Sequence, residues 1–188
     1  DPLFQSKRGF AGIEKRNQPI VEEDWNTAIS FLADFGLVAM QTETDNNKHL
    51  LDCHPLIREY FARTCLKSAS GAVAQAHERI FGYLVKTAPS APANIQDLSP
   101  LYQAVYHGCH ANLYDSIWHS VFLARIRRGE TVHFSTLNLG AFGEDLAALS
   151  SFFKIPWTEL YQQITELDQA WILNETAFCL RSVCRFSE

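Results

Sequence analysis

The amino-acid sequence predicts a mostly α-helical protein, with helices set around one small β-hairpin and followed by an all-helical arm. Three observations predict it. Apolar residues recur at three- and four-residue spacing over most of the chain. Two short strand candidates, 37–41 and 48–52, flank a polar connector with turn residues at Asp45-Asn46-Asn47. A run rich in proline and alanine, Ala88-Pro89-Ser90-Ala91-Pro92-Ala93, separates the hairpin part from the arm. The expected division is 1–69 for the helix-and-hairpin domain, 70–97 for a connecting helix and linker, and 98–188 for the helical domain.

In order, 1–19 is locally basic, and Leu3, Phe4, Phe10 and Ile13 could anchor one short helix before a turn at Asn17-Gln18-Pro19. Trp25, Ala28, Ile29, Leu32 and Phe35 then share a helical face. Glu22, Glu23 and Asp24 sit where the helix dipole favours acids, and Gly36 ends the helix. After the hairpin comes Leu51-Asp52-Cys53-His54-Pro55-Leu56-Ile57-Arg58-Glu59-Tyr60-Phe61. Proline suits the first helical position, because its missing N–H has no intrahelical partner there. That makes His54 the N-cap, a place normally held by Ser, Thr, Asp or Asn. Leu56, Ile57, Tyr60, Phe61 and Cys65 form the apolar face of the helix, which runs to about Ser68, where Ser70-Gly71 breaks it.

A helix over 72–87 follows, with Val73, Ala76, Ile80, Phe81 and Leu84 inward. Helices are expected over 101–111 and 114–128, joined at Asn112, a residue that tolerates the left-handed conformation of a tight turn. A loop over 130–136 leads to a helix over 137–153 that Pro156 stops. A short helix over 159–164 precedes a long one over 168–184, facing inward through Trp171, Leu173, Ala177, Phe178 and Leu180.

Composition limits the function classes. The chain has 188 residues, 47% of them hydrophobic, and a formal net charge of -5. That balance disfavours a general nucleic-acid or anionic-membrane binder. The five cysteines lack CxxC pairing and read as reduced packing residues of a cytoplasmic protein. No apolar run reaches the length of a membrane span, and no signal peptide is recognisable. Asn174-Glu175-Thr176 matches a glycosylation sequon inside a helical pattern and is read as chance.

Helix, hairpin, helix is the winged-helix arrangement. The region around Leu51-Asp52-Cys53-His54-Pro55-Leu56 resembles the winged-helix domain of STAND-class signalling ATPases (the NB-ARC/NACHT-like group), where a strand ends in a Met-His-Asp triplet that opens a helix. Here the triplet is Cys53-His54-Pro55: the histidine matches and its flanks differ, and bacterial members with His-Pro-Leu are closer. The resemblance implies that His54 contacts the β-phosphate of ADP in an intact parent protein and holds its resting state. It implies ADP or ATP as the parent's cofactor, with none held by these residues alone. The implied partner is an upstream nucleotide-binding module of the same chain.

The arm fits the same group. Ala177-x-x-Leu180-x-x-x-Cys184-Arg185-Phe186 resembles the first helix and turn of a tetratricopeptide (TPR-like) unit, which repeats over about 34 residues. Val105 to Ile117 is a divergent copy. The resemblance continues through 139–149 and 168–175, and implies a sensor arm that binds a protein or peptide. The pattern leads us to expect a piece of a longer protein, or a last repeat that ends early.

Catalytic patterns are missing. A phosphate cradle needs a Gly-Lys-Ser/Thr ending, and neither Gly9-Phe10-Ala11-Gly12 nor Gly140-Ala141-Phe142-Gly143 supplies the lysine. His107-Gly108-Cys109-His110 lacks further ligands at motif spacing, so no metal site is expected. Cys53 beside His54 is not a nucleophile–base pair, because such partners meet across a fold. No Gly-x-Ser-x-Gly elbow exists. The expectation is a non-enzymatic regulatory fragment. The alternatives are a protein–protein interaction scaffold and a DNA-binding winged-helix regulator. The last is disfavoured because the helix before the hairpin has no Lys or Arg between Val21 and Gly36, and phosphate contacts need cations.

Overall fold

The computed structural model describes residues 22–43 and 48–184. The short helix expected within 1–19, the turn residues 45–47 and the end of the last expected repeat, 185–188, lie outside the described residues. The chain is mostly helical and falls into two compact units divided between Val73 and Ala74.

The first unit contains α1 (Glu22–Asp34), β1 (Ala39–Glu43), β2 (Lys48–Asp52) and α2 (Pro55–Ser68). Gly36 adopts φ +65° and Leu37 N–H donates to Leu32 C=O at 2.9 Å, the six-residue closure that ends a helix on a left-handed residue. The two strands pair antiparallel, from Ala39 opposite Asp52 to Glu43 opposite Lys48. Ile29 is the one buried apolar residue among the described residues of this unit. The apolar faces that the spacing predicts do form, but outward: Trp25 is 50% and Phe35 60% exposed, and Leu56, Tyr60 and Phe61 are exposed on α2. Two helices and one hairpin offer too little area to cover each other.

α3 (Ser70–Thr87) begins one residue after α2. The break falls at Ala69, whose φ of -153° leaves the helical region, and Gly71 lies in the first turn of α3.

The second unit holds the main core. α4 (Ile95–His110) starts well before the residue 101 expected. Asn94 caps it through Oδ1, which accepts from Asp97 N–H at 2.9 Å, while Asp97 Oδ2 accepts from Ala93 N–H at 2.8 Å. This double cap lets the helix form ahead of Pro100, whose missing N–H is absorbed inside it. Asn112, at φ +60°, turns the chain into α5 (Tyr114–Ser116). The helix then widens into a π-helix over Ile117–Ile126 instead of continuing as α.

A second π-helix spans Phe134–Asn138, where a loop and then an α-helix were expected. α6 is confined to Phe142–Ser150, because Gly140 at φ +69° ends the preceding turn. The expected helix over 159–164 is replaced by a small hairpin, β3 (Phe153–Ile155) and β4 (Glu159–Leu160). Trp157, at φ +63°, forms its turn and packs edge-on against Phe153. α7 (Glu166–Cys184) closes the unit against α6.

Leu98, Leu101 and Val105 of α4 meet Ile117, Trp118, Val121, Phe122 and Ile126 of the first π-helix, with Leu149, Phe152 and Ile172 across from them. Trp118 stacks on Phe122 at 5.2 Å and meets Phe152 edge-on. Each such side chain contributes about 1.5–3 kcal/mol on full burial. On α7 the buried residues are Asp168, Ile172, Glu175, Thr176 and Cys179; of the expected face, Trp171 and Phe178 pack against the core, while Leu173 and Ala177 face solvent. The run 88–93 is pinned to this unit. The Arg125 guanidinium donates to the carbonyls of Val85, Ala88 and Pro89 at 2.8–3.0 Å, and Arg128 donates to Pro92. No helix among the described residues is long and apolar enough to cross a membrane.

Candidate functional site

The β2–α2 corner places His54 as the spacing predicts. It is the N-cap of α2, with Pro55 in the first turn, and its carbonyl accepts from Ile57 and Arg58 N–H at 2.9 and 3.1 Å. Its ring is exposed, and Nδ1 accepts from Leu56 N–H at 3.3 Å. A ring nitrogen that accepts a hydrogen bond carries no proton, so a neutral ring held this way keeps its hydrogen on Nε2. His54 therefore does what a cap asparagine does on one side and presents an N–H donor on the other. The corner is braced by Arg58, which donates to Asp52 Oδ1 at 3.1 Å and to the Cys53 carbonyl at 3.3 Å. This salt bridge reaches back from α2 to β2.

The second unit contains a buried polar cluster that spacing did not reveal. Arg127 is 2% and Glu175 3% exposed, and they pair through two contacts of 3.0 Å each. The Arg127 guanidinium also donates to the Gly129 carbonyl at 3.2 Å and to the His133 ring at 2.7 Å, and lies 5.8 Å from the centre of the Trp171 ring. Beside it, Asp145 accepts from the hydroxyls of Tyr102 and Ser135 at 2.6 Å each. Burial pushes the Asp145 carboxyl up to about 6, against the downward pull of those two hydroxyls. Arg127 offsets the charge of Glu175, although Glu175 Oε1 makes no hydrogen bond, and Asp145 is met by hydroxyls and not by a cation. The cluster ties the first π-helix, the second π-helix, α4, α6 and α7 together, and its buried position marks it as a specifier of the fold.

Two further clusters gather titratable groups. His107 meets His77 of α3 with Nδ1 to Nδ1 at 2.9 Å, and His110 stacks on His77 while its own Nδ1 bonds the Tyr106 carbonyl. Burial lowers the pKa of His77 and His107, helped by the neighbouring imidazoles. On the opposite side of the sequence pattern, Asp115, His119 and Asp168 point one donor atom each into a common space, all within 4.8 Å of one another. The helical spacing Asp115-x-x-x-His119 was the readable half of that set. Asp168, the start of the last expected helix, supplies the half that only the tertiary fold shows.

Cys109 and Cys179 are buried, and burial raises both thiols, Cys179 to about 12. Thiols held protonated in this way are packing groups, not nucleophiles. Cys53 and Cys65 are half-buried and free. An open, mostly apolar groove of about 400 Å³ runs between α4 and α6, with Tyr102, Tyr106, Gln103 and Glu144 on its walls.

No protein family, curated protein or solved structure matches the chain in comparisons with each. The corner around His54 therefore stands on its own geometry.

Proposed function

We propose that this chain is a cytoplasmic, non-catalytic regulatory segment of a STAND signalling ATPase, in which the helix–hairpin–helix unit is a winged-helix nucleotide sensor. In this reading the helical unit is the beginning of a tetratricopeptide-like sensor arm for a protein or peptide. ATP chemistry belongs to an upstream nucleotide-binding module, and ADP is the ligand that His54 reads.

One observation carries the reading: His54 is exposed at a helix N-terminus, with Nδ1 occupied by the helix itself and Nε2 free to donate. The unpaired N–H groups and partial positive charge of the α2 N-terminus suit a phosphate. One hydrogen bond to a charged group contributes about 1.5–3 kcal/mol. That biases a two-state switch about 10- to 100-fold, enough for a latch on the ADP state.

The test is His54→Ala in the intact parent, read as ADP dissociation and as signalling without ligand. Faster ADP loss by about 10-fold or more and raised basal signalling are expected. Retention equal to the unmodified protein would refute the role. The 188-residue chain by itself is expected to bind ADP negligibly, because a latch without a phosphate cradle has little affinity.

The groove along α4 supports a second reading, a scaffold that binds an extended peptide with His54 as a purely structural cap. Under that reading His54→Ala leaves nucleotide handling untouched, while Tyr106→Ala weakens peptide capture.

A further inference from the structure

We infer that Asp115, His119 and Asp168 form a binding site for a divalent first-row transition-metal ion, with zinc as the best-fitting occupant. Three features of the geometry point there. His119 Nε2 lies 3.2 Å from Asp168 Oδ1 and 3.7 Å from Asp115 Oδ1. Ligands about 2.0–2.1 Å from a tetrahedral ion stand close to these separations from one another, so small rotamer changes complete three corners of a tetrahedron.

The second feature is the state of Asp168. Its side chain is only 8% exposed, and its Oδ2 is fixed by the Thr165 hydroxyl at 2.7 Å. Thr165 also accepts the Asp168 N–H at 3.2 Å, which anchors the carboxylate to the first turn of α7. The other oxygen, Oδ1, is directed at His119. A carboxylate buried to this degree calls for a cationic partner, and the group that Oδ1 faces is the exposed His119 ring. Thr165 acts as the outer partner that orients a ligating carboxylate.

The third feature is the donor set. One imidazole nitrogen and two carboxylates suit zinc and its first-row neighbours. Calcium and magnesium ask for six or more oxygens. No thiolate is in the group, which disfavours copper(I). Three protein ligands also leave a fourth position on the solvent side, where Asp115 and His119 are exposed, for water or an incoming donor. Bound metal joins the turn that starts the first π-helix to the N-terminus of α7.

The experiment is titration of the full 188-residue chain with Zn²⁺ by calorimetry and with Co²⁺ by visible absorption, under reducing conditions. One ion per chain is expected, with d–d bands of a tetrahedral nitrogen–oxygen site. His119→Gln and Asp115→Asn alter exposed side chains and leave helical circular dichroism unchanged; each is expected to weaken binding about 10-fold or more, at least the loss seen for an outer-shell partner. His107→Gln, in the separate histidine cluster, is expected to leave binding as it was. Absence of binding at millimolar Zn²⁺, a sulfur-to-cobalt charge-transfer band, or affinity unchanged by His119→Gln would each overturn the site.

Discussion

Asp145 should make the second unit less stable as pH rises from about 4 to 6. Its carboxyl titrates near 6 in the folded protein, against 3.8 for an unhindered aspartate, and burial is the leading cause. Between those two values the folded chain holds a proton that the unfolded chain has released. Stability therefore falls with rising pH across that window, and the full cost is present above pH 6. A shift of about two units at about 1.36 kcal/mol each gives a loss of about 3 kcal/mol. Solvent screening does not reduce this much, because Asp145 is only 2% exposed. His77 and His107 work in the opposite direction. Their lowered values mean that the unfolded chain binds more protons below about 6.5, so their contribution to stability grows as pH rises. The perturbation that separates the two is Asp145→Asn, which keeps the shape and removes the titration. Unfolding by denaturant, followed through tryptophan fluorescence and helical circular dichroism at several pH values from 4 to 7, supplies the free energies. The stability of the variant relative to the original should improve by about 3 kcal/mol across that range, since the histidine terms are common to both and cancel. A difference that does not change with pH would refute the assignment.

Two other substitutions probe the same unit. Glu175→Ala strands the Arg127 guanidinium in the core and should cost about 3–5 kcal/mol, whereas Arg127→Met with Glu175→Leu should cost far less, because a buried pair is dear to break and cheap to replace. Equal losses in the single and double variants, measured by denaturant unfolding, would contradict that. At Gly108 an added Cβ would lie 2.6 Å from two carbons of the fully buried Ile117 and 3.0 Å from the Phe81 ring, so Gly108→Ala should destabilise by about 1–3 kcal/mol. An unchanged unfolding midpoint would show that the crossing of α4 over the first π-helix is looser than these distances say.

Local rules made much of the fold legible. Pro55 located the start of α2 and hence the His54 cap, because the first helical position needs no N–H for an intrahelical bond. Gly36 and Asn112 marked turns because both adopt positive φ, which most side chains resist. The failures share a different cause. Ile117, Trp118, Val121, Phe122 and Ile126 follow one another at steps of one, three, one and four, which keep them on one side of an α-helix as well as of a π-helix with its i to i+5 bonding. The apolar period therefore gave the helix but not its type. The β3–β4 hairpin was hidden by Leu160 and Ile164, whose four-residue spacing imitates a helix, although Pro156 before Trp157 is a turn signal.

The face of α7 was read only in part, with Trp171 and Phe178 packed on the core but Leu173 and Ala177 outside, for an energetic reason. Hydrophobic spacing assumes that charges point outward, and Glu175 points inward because Arg127 waits for it from the end of the first π-helix. Turning Glu175 in brings Ile172, Thr176 and Cys179 with it and leaves Leu173 outside. The same rotation sets the first turn of α7, where Asp168 meets His119. One buried ion pair thus decides both which apolar residues enter the core and where the carboxylate of the proposed metal site stands. Neither partner has a local signature, since what makes each tolerable in the core is the other, contributed by a distant part of the chain.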